Sequence, residues 1–498
     1  MNLHARRAAF CAVVAIGYLV ACARNQGGVL RVALRDSVAS LDPHIVDDRS
    51  TFYLLGNVYE PLAVHDPAGS IVPALAAAWS NPDERTWRFD LRRGVTFHDG
   101  RAFTARDVRY TLERVRSHPQ SWLREDLAGV VSVGAAGDHA IELRTRDPSP
   151  LLLQSLTRVL IVPEGWAEAA TGANGTGPYR VESWRNELTR LRGLARHWRG
   201  LPRWTAVEVR TVATAGARLE AISRGEADFI DSPPPSLVAS SRPGAAVHII
   251  EASAAQVAIM GFRLGGGAQN PFANTRVREA VALAIDQQAL VRLVLAGRGE
   301  PASQLAPPGI FGYVPDLPLP RHDPGAARAA LQTSRVRLPV RAELLCSPGG
   351  QSLAEAVAAQ VRASGVHLAP RVLAWEEFDR RLNVRQADAF VFHLTYPELD
   401  STNVFVSSFH TSQPEARRGT MNFSGHSDPA LDALLERAEA EFDSQARYAL
   451  IAQATRRVLA SWVWLPLYVQ RDTYAARAGL RWEGGLAPGI AFERVVRE

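Results

Sequence analysis

Lysine is missing from this chain, and all 56 of its Lys-plus-Arg side chains are arginine. A guanidinium stays protonated at any ordinary pH. Schiff-base catalysis, a Ser-Lys pair and a phosphate loop built on Lys are therefore excluded. Cysteine is almost as scarce, three in 498 residues at Cys11, Cys22 and Cys346, which rules out paired-cysteine metal sites. No G-x-S-x-G elbow or H-E-x-x-H helix occurs, and the 13 histidines are scattered without metal-ligand spacing. His98 in a turn motif and His367 in a strand pattern read as satisfied or solvated imidazoles. Catalysis, cofactor binding and metal binding thus find no support, and the chain is not expected to be an enzyme. Nucleic-acid binding is disfavoured too. The formal charge of +5, or +3 without Arg6 and Arg7 (5 − 2), is spread among Asp and Glu with no basic stripe.

Long apolar runs are also absent, save one. Ala8 to Val20 follows Arg6 and Arg7 and ends at Leu19-Val20-Ala21-Cys22. The run is too short for an ordinary transmembrane helix, and its charged start and small residue before the cut site fit export. It looks like a lipoprotein signal peptide over 1–21, with Cys22 as the lipidated first residue and 22–29 as anchor and tether. Cys346 is then the only thiol of the mature chain, and no internal disulfide can form. With 47% hydrophobic and 21% charged residues, the remainder is an ordinary globular composition, long enough for two or three domains.

Trp87 to Val115 is the densest stretch of structural signals. Trp87, Phe89 and Leu91 alternate with Arg88, Asp90 and Arg92, the period of a half-buried strand, and Val95 with Phe97 predicts a second strand. Asp99-Gly100 predicts a tight two-residue turn with positive φ. Thr104 and Asp107 form a variant capping box ahead of a helix whose Val108, Leu112 and Val115 make one apolar stripe. Further on, Gly172 to Tyr179 (GANGTGPY) precedes a strand and not a helix, so the glycines predict a structural turn, not a phosphate cradle. Val207 to Val212, Ala217 to Arg224 and Asp228 to Ile230 read as strand, helix, strand. Val340 to Leu345, Ala354 to Ala363 and Val366 to Val372 repeat that order. Alternation of this kind implies α/β layers.

The order W-x-F-x-L-R-x-G-V-x-F-H-D-G-x-x-F-T-A-x-D-V from Trp87 resembles the signature region of the bacterial extracellular solute-binding proteins of family 5, peptide, dipeptide and nickel receptors of ABC importers. The block PFANTRVREAVALAIDQQALVRLVLAGRG from Pro271, N-V-Y-E-P-L from Asn57, R-G-E-A-D from Arg224 and W-L-P-L-Y from Trp464 resemble further family segments. Together they cover nearly the whole mature chain. The resemblance implies an α/β, two-lobed, periplasmic-binding-protein-like (type II) fold with an inserted subdomain in lobe one. Lobe one would comprise 30–68, 163–257 and 467–498, the subdomain 69–162, and lobe two 258–466, with chain crossings near Val257 and Pro466. It also implies a monomeric, extracytoplasmic receptor, lipid-anchored in the periplasm or cell envelope, that hands an oligopeptide or similar solute to a cognate ABC permease. A lipid-anchored sensor or scaffold on the same fold, or an unrecognised hydrolase, are the alternatives.

A receptor for extended peptides needs a carboxylate for the ligand amine, a cation for its carboxylate and aromatic walls. In the family the amine-binding Asp lies in W-x-x-D-x-x-D-P-x-x-F. Here that place reads His393 to Phe405 (HLTYPELDSTNVF). If Asp400 takes the second acidic position, the first falls on Pro397, so Asp400 or Glu398 shifts into the role, beside Tyr396. Asp400 is the favoured carboxylate. Chain order places Asp47, Arg49, Trp122 and Trp375 as further cleft candidates, with Arg385 one of several cations able to meet a carboxylate. The His pair with flanking Arg of nickel receptors is absent.

Overall fold

The computed structural model describes residues 27–498 apart from 168–171, 186, 241, 243, 267–268 and 487–488, so the signal segment and Cys22 lie outside the described residues. One 11-stranded sheet organises the chain, and two long antiparallel strands, Val247–Phe262 and Trp464–Arg477, run through its middle. On one side lie Phe229–Asp231, Val29–Leu34, Ala206–Thr211, Leu188–Gly193 and Tyr179–Arg185. On the other lie Ala389–Thr395, Val340–Cys346 and Val366–Val372, and the eleventh strand, Gly299–Pro301, pairs with Trp464–Arg477 off this path. The two central strands pair in register from Val247↔Arg477 to Ser253↔Arg471, slip, and resume at Val257↔Val469. Ala255, inside the slip, has φ +46°, a left-handed value that costs a non-glycine residue energy and marks a local irregularity.

Side chains alternate across this sheet as period two requires. Ala258, Met260 and Phe262 enter one core of lobe two, while Val257 and Ile259 enter the core on the opposite face. Leu30, Val32 and Leu34 pack under helix Arg49–Leu55, and Ala33 faces the other way with Ile222 and Ile230. Both faces are covered, as expected for strands that read as near-continuous apolar runs.

A separate four-stranded antiparallel sheet lies between Ala76 and Thr145 and has its own core of Trp87, Phe89, Val108, Leu112, Val115 and their neighbours. The expected strand Thr86–Leu91 and the capped helix Ala105–Ser117 are present, and Asp107 Oδ2 accepts from the Thr104 N–H at 2.7 Å. Two details differ from the sequence reading. Val95–Phe97 forms only a single bridge, Thr96↔Ala102, in a short local pairing in which Phe97 N donates to Arg101 O at 2.8 Å and Phe103 N to Val95 O at 3.0 Å, while His98 N donates to Gly175 O at 2.9 Å. Only Gly100 takes positive φ, +90°, and its N–H bonds to Phe97 O, so a turn ending in glycine replaces the two-residue hairpin.

The GTGPY loop is clamped between Asn57-Val58 and that turn. Gly177 N donates to Val58 O at 2.9 Å, and His98 Nε2 lies 3.0 Å from Gly177 O. A Cβ on Gly175 would sit 2.0 Å from Val58 O. Gly175→Ala should therefore force backbone apart and cost about 1–3 kcal/mol, measured as a lower urea midpoint; an unchanged midpoint would show that the loop yields freely.

Candidate functional site

In open α/β sheets ligands bind beyond the carboxyl ends of the strands. Here those ends converge. Strand Val29–Leu34 runs parallel to Phe229–Asp231, whose Asp231 pairs with Tyr474 of the second crossing strand. In lobe two, Val340–Cys346 runs parallel to Ala389–Thr395, whose Thr395 pairs with Gln256 beside the slip. Both sets of carboxyl ends point at the crossing from opposite sides, so the cleft lies there.

On the lobe-one rim, Asp48 caps helix Arg49–Leu55 by accepting from Thr51 N at 2.8 Å. Arg49 is committed: its Nη1 lies 3.0 Å from Asp472 Oδ1. Tyr53 and Tyr474 share a hydrogen bond of 3.2 Å behind it, and burial raises the Tyr53 hydroxyl to about 12. Across the cleft His393 lies 3.5 Å from the Tyr468 hydroxyl, with its pKa lowered by burial. A neutral imidazole results.

The loop carrying Asp47 is held by the subdomain. Arg114, on helix Ala105–Ser117, bonds both oxygens of Asp42 and donates to His44 Nδ1 at 2.7 Å. Burial lowers His44 to about 4, so the ring is neutral, accepts at Nδ1 and donates from Nε2 to Leu160 O at 2.8 Å. Trp122 packs on the same loop, donating from Nε1 to Pro43 O at 3.3 Å, with the Arg158 guanidinium 4.7 Å from its ring centre.

The expected site residues then separate. Tyr396 is fully buried, its hydroxyl donating to Leu305 O at 2.8 Å in the core of lobe two. Asp400 is also turned inward, which departs from the expectation that favoured it. One of its oxygens accepts from Thr402 N at 2.8 Å and the other lies 3.4 Å from Arg447 Nη2, with side-chain exposures of only 2% and 7%. Burial raises the Asp400 pKa and Arg447 opposes the rise. Trp375 is 60% exposed at the start of helix Trp375–Asn383, packed on Phe378, apart from this group. Arg385 donates to Asn422 O at 3.2 Å.

Glu398 faces the other lobe. Its Oε1 accepts from Ser155 Oγ at 2.7 Å across the cleft and its Oε2 from Asn403 Nδ2 at 2.8 Å. Close by, Asp126 pairs with Arg158 at 2.8 Å, and Asp47 and Glu398 add negative potential. Burial raises Asp126 to about 6 despite Arg158. Three carboxylates around one guanidinium leave a surplus of negative charge where the lobes meet. Arg417 with Glu125 at 2.6 Å and Phe442 on Trp87 complete the contact between subdomain and lobe two. Sequence reasoning missed Asp126, Ser155, Arg158 and Asp472. None sits in a motif, and only the fold brings them to the cleft. Among the described residues no group of three or more His, Cys, Asp or Glu could hold a metal ion, and no helix is long and apolar enough to cross a membrane.

The model of the bacterial extracellular solute-binding proteins, family 5, matches residues 70–415. The chain belongs to that family. Among family members it is 25% identical to the probable di/tripeptide-binding protein 5 of Pseudomonas aeruginosa, over 80% of this chain and 82% of that one. HbpA2 from Haemophilus parasuis superposes with a TM-score of 0.84 at 22% identity, covering 95% of this chain and all of its own. The ABC transporter-associated periplasmic binding protein DppA from Helicobacter pylori, solved with the peptide STSA, gives 0.78 at 21% over 95% and 99%. These likenesses establish the two-lobed type II α/β fold, and family 5 proteins act outside the cytoplasm as binding proteins for ABC transporters.

Asp400→Asn leaves the Arg447 charge buried without its partner, which should cost about 3–5 kcal/mol of stability. Chemical denaturation checks this. A variant of native stability with peptide affinity lost would return Asp400 to the binding site.

Proposed function

We propose that this protein captures a short peptide or similar solute with a free amine in the interlobe cleft, and that Glu398 with Asp126 receives the ammonium group. The observation that carries this reading is Glu398 itself, a carboxylate of lobe two that reaches Ser155 of the opposite side within a group of surplus negative charge. Two of its roughly four acceptor sites are used, leaving capacity for a ligand N–H. Asp47 adds to the field, Trp122 supplies an aromatic wall, and Arg49 stands at the rim with Asp472. The Pseudomonas relative's name, a di/tripeptide-binding protein, agrees with a short ligand.

In this reading the chain divides into lobe one (30–68, 163–257, 467–498), subdomain (69–162) and lobe two (258–466). The protein works as a monomer that delivers its ligand to a permease and makes or breaks no bond. Cys22 carries the lipid that holds it to a membrane. Cys22→Ser should move the protein from the membrane pellet to the soluble fraction on cell fractionation; retention in the pellet would remove the anchor.

Glu398→Gln loses one charge-assisted hydrogen bond, about 1.5–3 kcal/mol, or roughly ten- to hundredfold in affinity. Calorimetric titration should show that loss for a free-amine dipeptide and not for its N-acetylated form. Equal losses for both would sink the assignment. Binding should also weaken as pH falls through about 6, where Asp126 takes up a proton and the cleft loses a negative charge. Stability runs the opposite way: a raised carboxyl pKa favours the fold below the ordinary Asp range, and this contribution is lost as pH rises through about 6. Asp126→Asn should abolish both steps.

A further inference from the structure

Between helix Arg49–Leu55 and the C-terminal segment lies a cavity of about 220 Å³. Phe52, Tyr59, Trp482 and Ile490 form much of its wall, and Pro397 of lobe two closes one side. Glu493 and Arg494, successive residues of the short turn Phe492–Arg494, both line it. Among the described residues neither side chain makes a hydrogen bond or an ion pair, and they do not pair with each other. The backbone that presents them is pinned: Arg203 Nε donates to Glu493 O at 3.0 Å, and Arg494 N donates to Ala491 O at 2.9 Å. The other charges on the wall are already committed. Glu60 accepts from Trp198 Nε1 at 2.9 Å and Arg199 Nη2 at 2.6 Å, and Arg158 holds Asp126.

Both side chains are part-buried and face one aromatic-walled cavity, so each keeps its hydrogen-bonding capacity for a ligand that enters it. An anion would satisfy Arg494 and leave Glu493; an amine would do the reverse. We propose that this cavity binds a single small zwitterion of the α-amino-acid class, its carboxylate on the Arg494 guanidinium and its ammonium on the Glu493 carboxylate. The volume lies below the roughly 300–1,000 Å³ of sites for drug-sized ligands, which suits one amino acid better than a peptide chain. The proposal does not rest on the role of Glu398.

The test is titration of the full chain with L-alanine, and with propionate and propylamine as probes carrying one charge each, followed by Trp fluorescence and calorimetry. Saturable alanine binding is expected, with the single-charge probes weaker by about tenfold or more. Glu493→Gln and Arg494→Gln should each weaken alanine by a similar factor, whereas a loss seen with Glu398→Gln and with neither of these would place alanine in the Glu398 group and overturn the proposal. Absence of saturable alanine binding, or a loss confined to one of the two cavity variants, overturns the proposal. Should a variant fail to fold, the wild-type probes decide: equal affinity for alanine and either single-charge probe overturns it as well.

Discussion

The pairing of strands Val247–Phe262 and Trp464–Arg477 is the constraint from which the rest of the molecule follows. Backbone N–H and C=O groups inside a protein must be bonded, so two strands shared by both lobes tie the lobes into one hydrogen-bonded sheet. The ladder slips twice, between Ser253 and Val257 and again between Ala258 and Ile259, and at the first slip the lobes meet. Since parallel strands on each side end toward the first slip, the cleft and its rim residues are placed by this one pair. Gly261 shows how tight the fit is: a Cβ would lie 2.3 Å from the Phe390 ring.

The subdomain acts on the cleft through position. Its capped helix delivers Arg114 to Asp42 and His44, and that buried network sets the course of the chain from Asp42 to the helix cap at Asp48. Neutral His44 is essential to the geometry, because only an unprotonated Nδ1 can accept from a guanidinium. Burial supplies the neutrality, lowering the ring to about 4. The segment Trp87 to Val115 is thus scaffold, and its link to the loop at the cleft rim runs through Arg114, with Trp122 seated on Pro43 beside it.

Local pattern made most of the fold legible. Strand Val29–Leu34, the capped helix Ala105–Ser117 and strand Val366–Val372 stand where alternation, capping and punctuation put them, because each signal acts over a few neighbouring residues. The expected strand at Val95–Phe97 is reduced to one bridge because the chain turns back at Gly100, so its partners are only Arg101 to Phe103, while His98 bonds to Gly175, 77 residues away. The site was harder to read. Asp126, Arg158 and Ser155 come from different parts of the subdomain, and nothing in their own neighbourhoods distinguishes them from solvated surface residues.

The segment from Tyr396 to Asp400 turns its two carboxylates in opposite directions, which chain order alone does not reveal. Five consecutive residues contribute two inward anchors, Tyr396 to Leu305 and Asp400 to Arg447, and between them Pro397 and Glu398 face the opposite lobe. Leu399, with φ +55°, makes that reversal possible. A non-glycine residue in the left-handed region is strained by about 1–3 kcal/mol, and here the buried anchors on both sides hold it. Asp400 thus shapes the loop without reaching the cleft. Its ion pair and its bond to Thr402 N fix the loop end that aims Glu398 at Ser155, so the residue that resembles the family's acid positions the one with the free lone pairs.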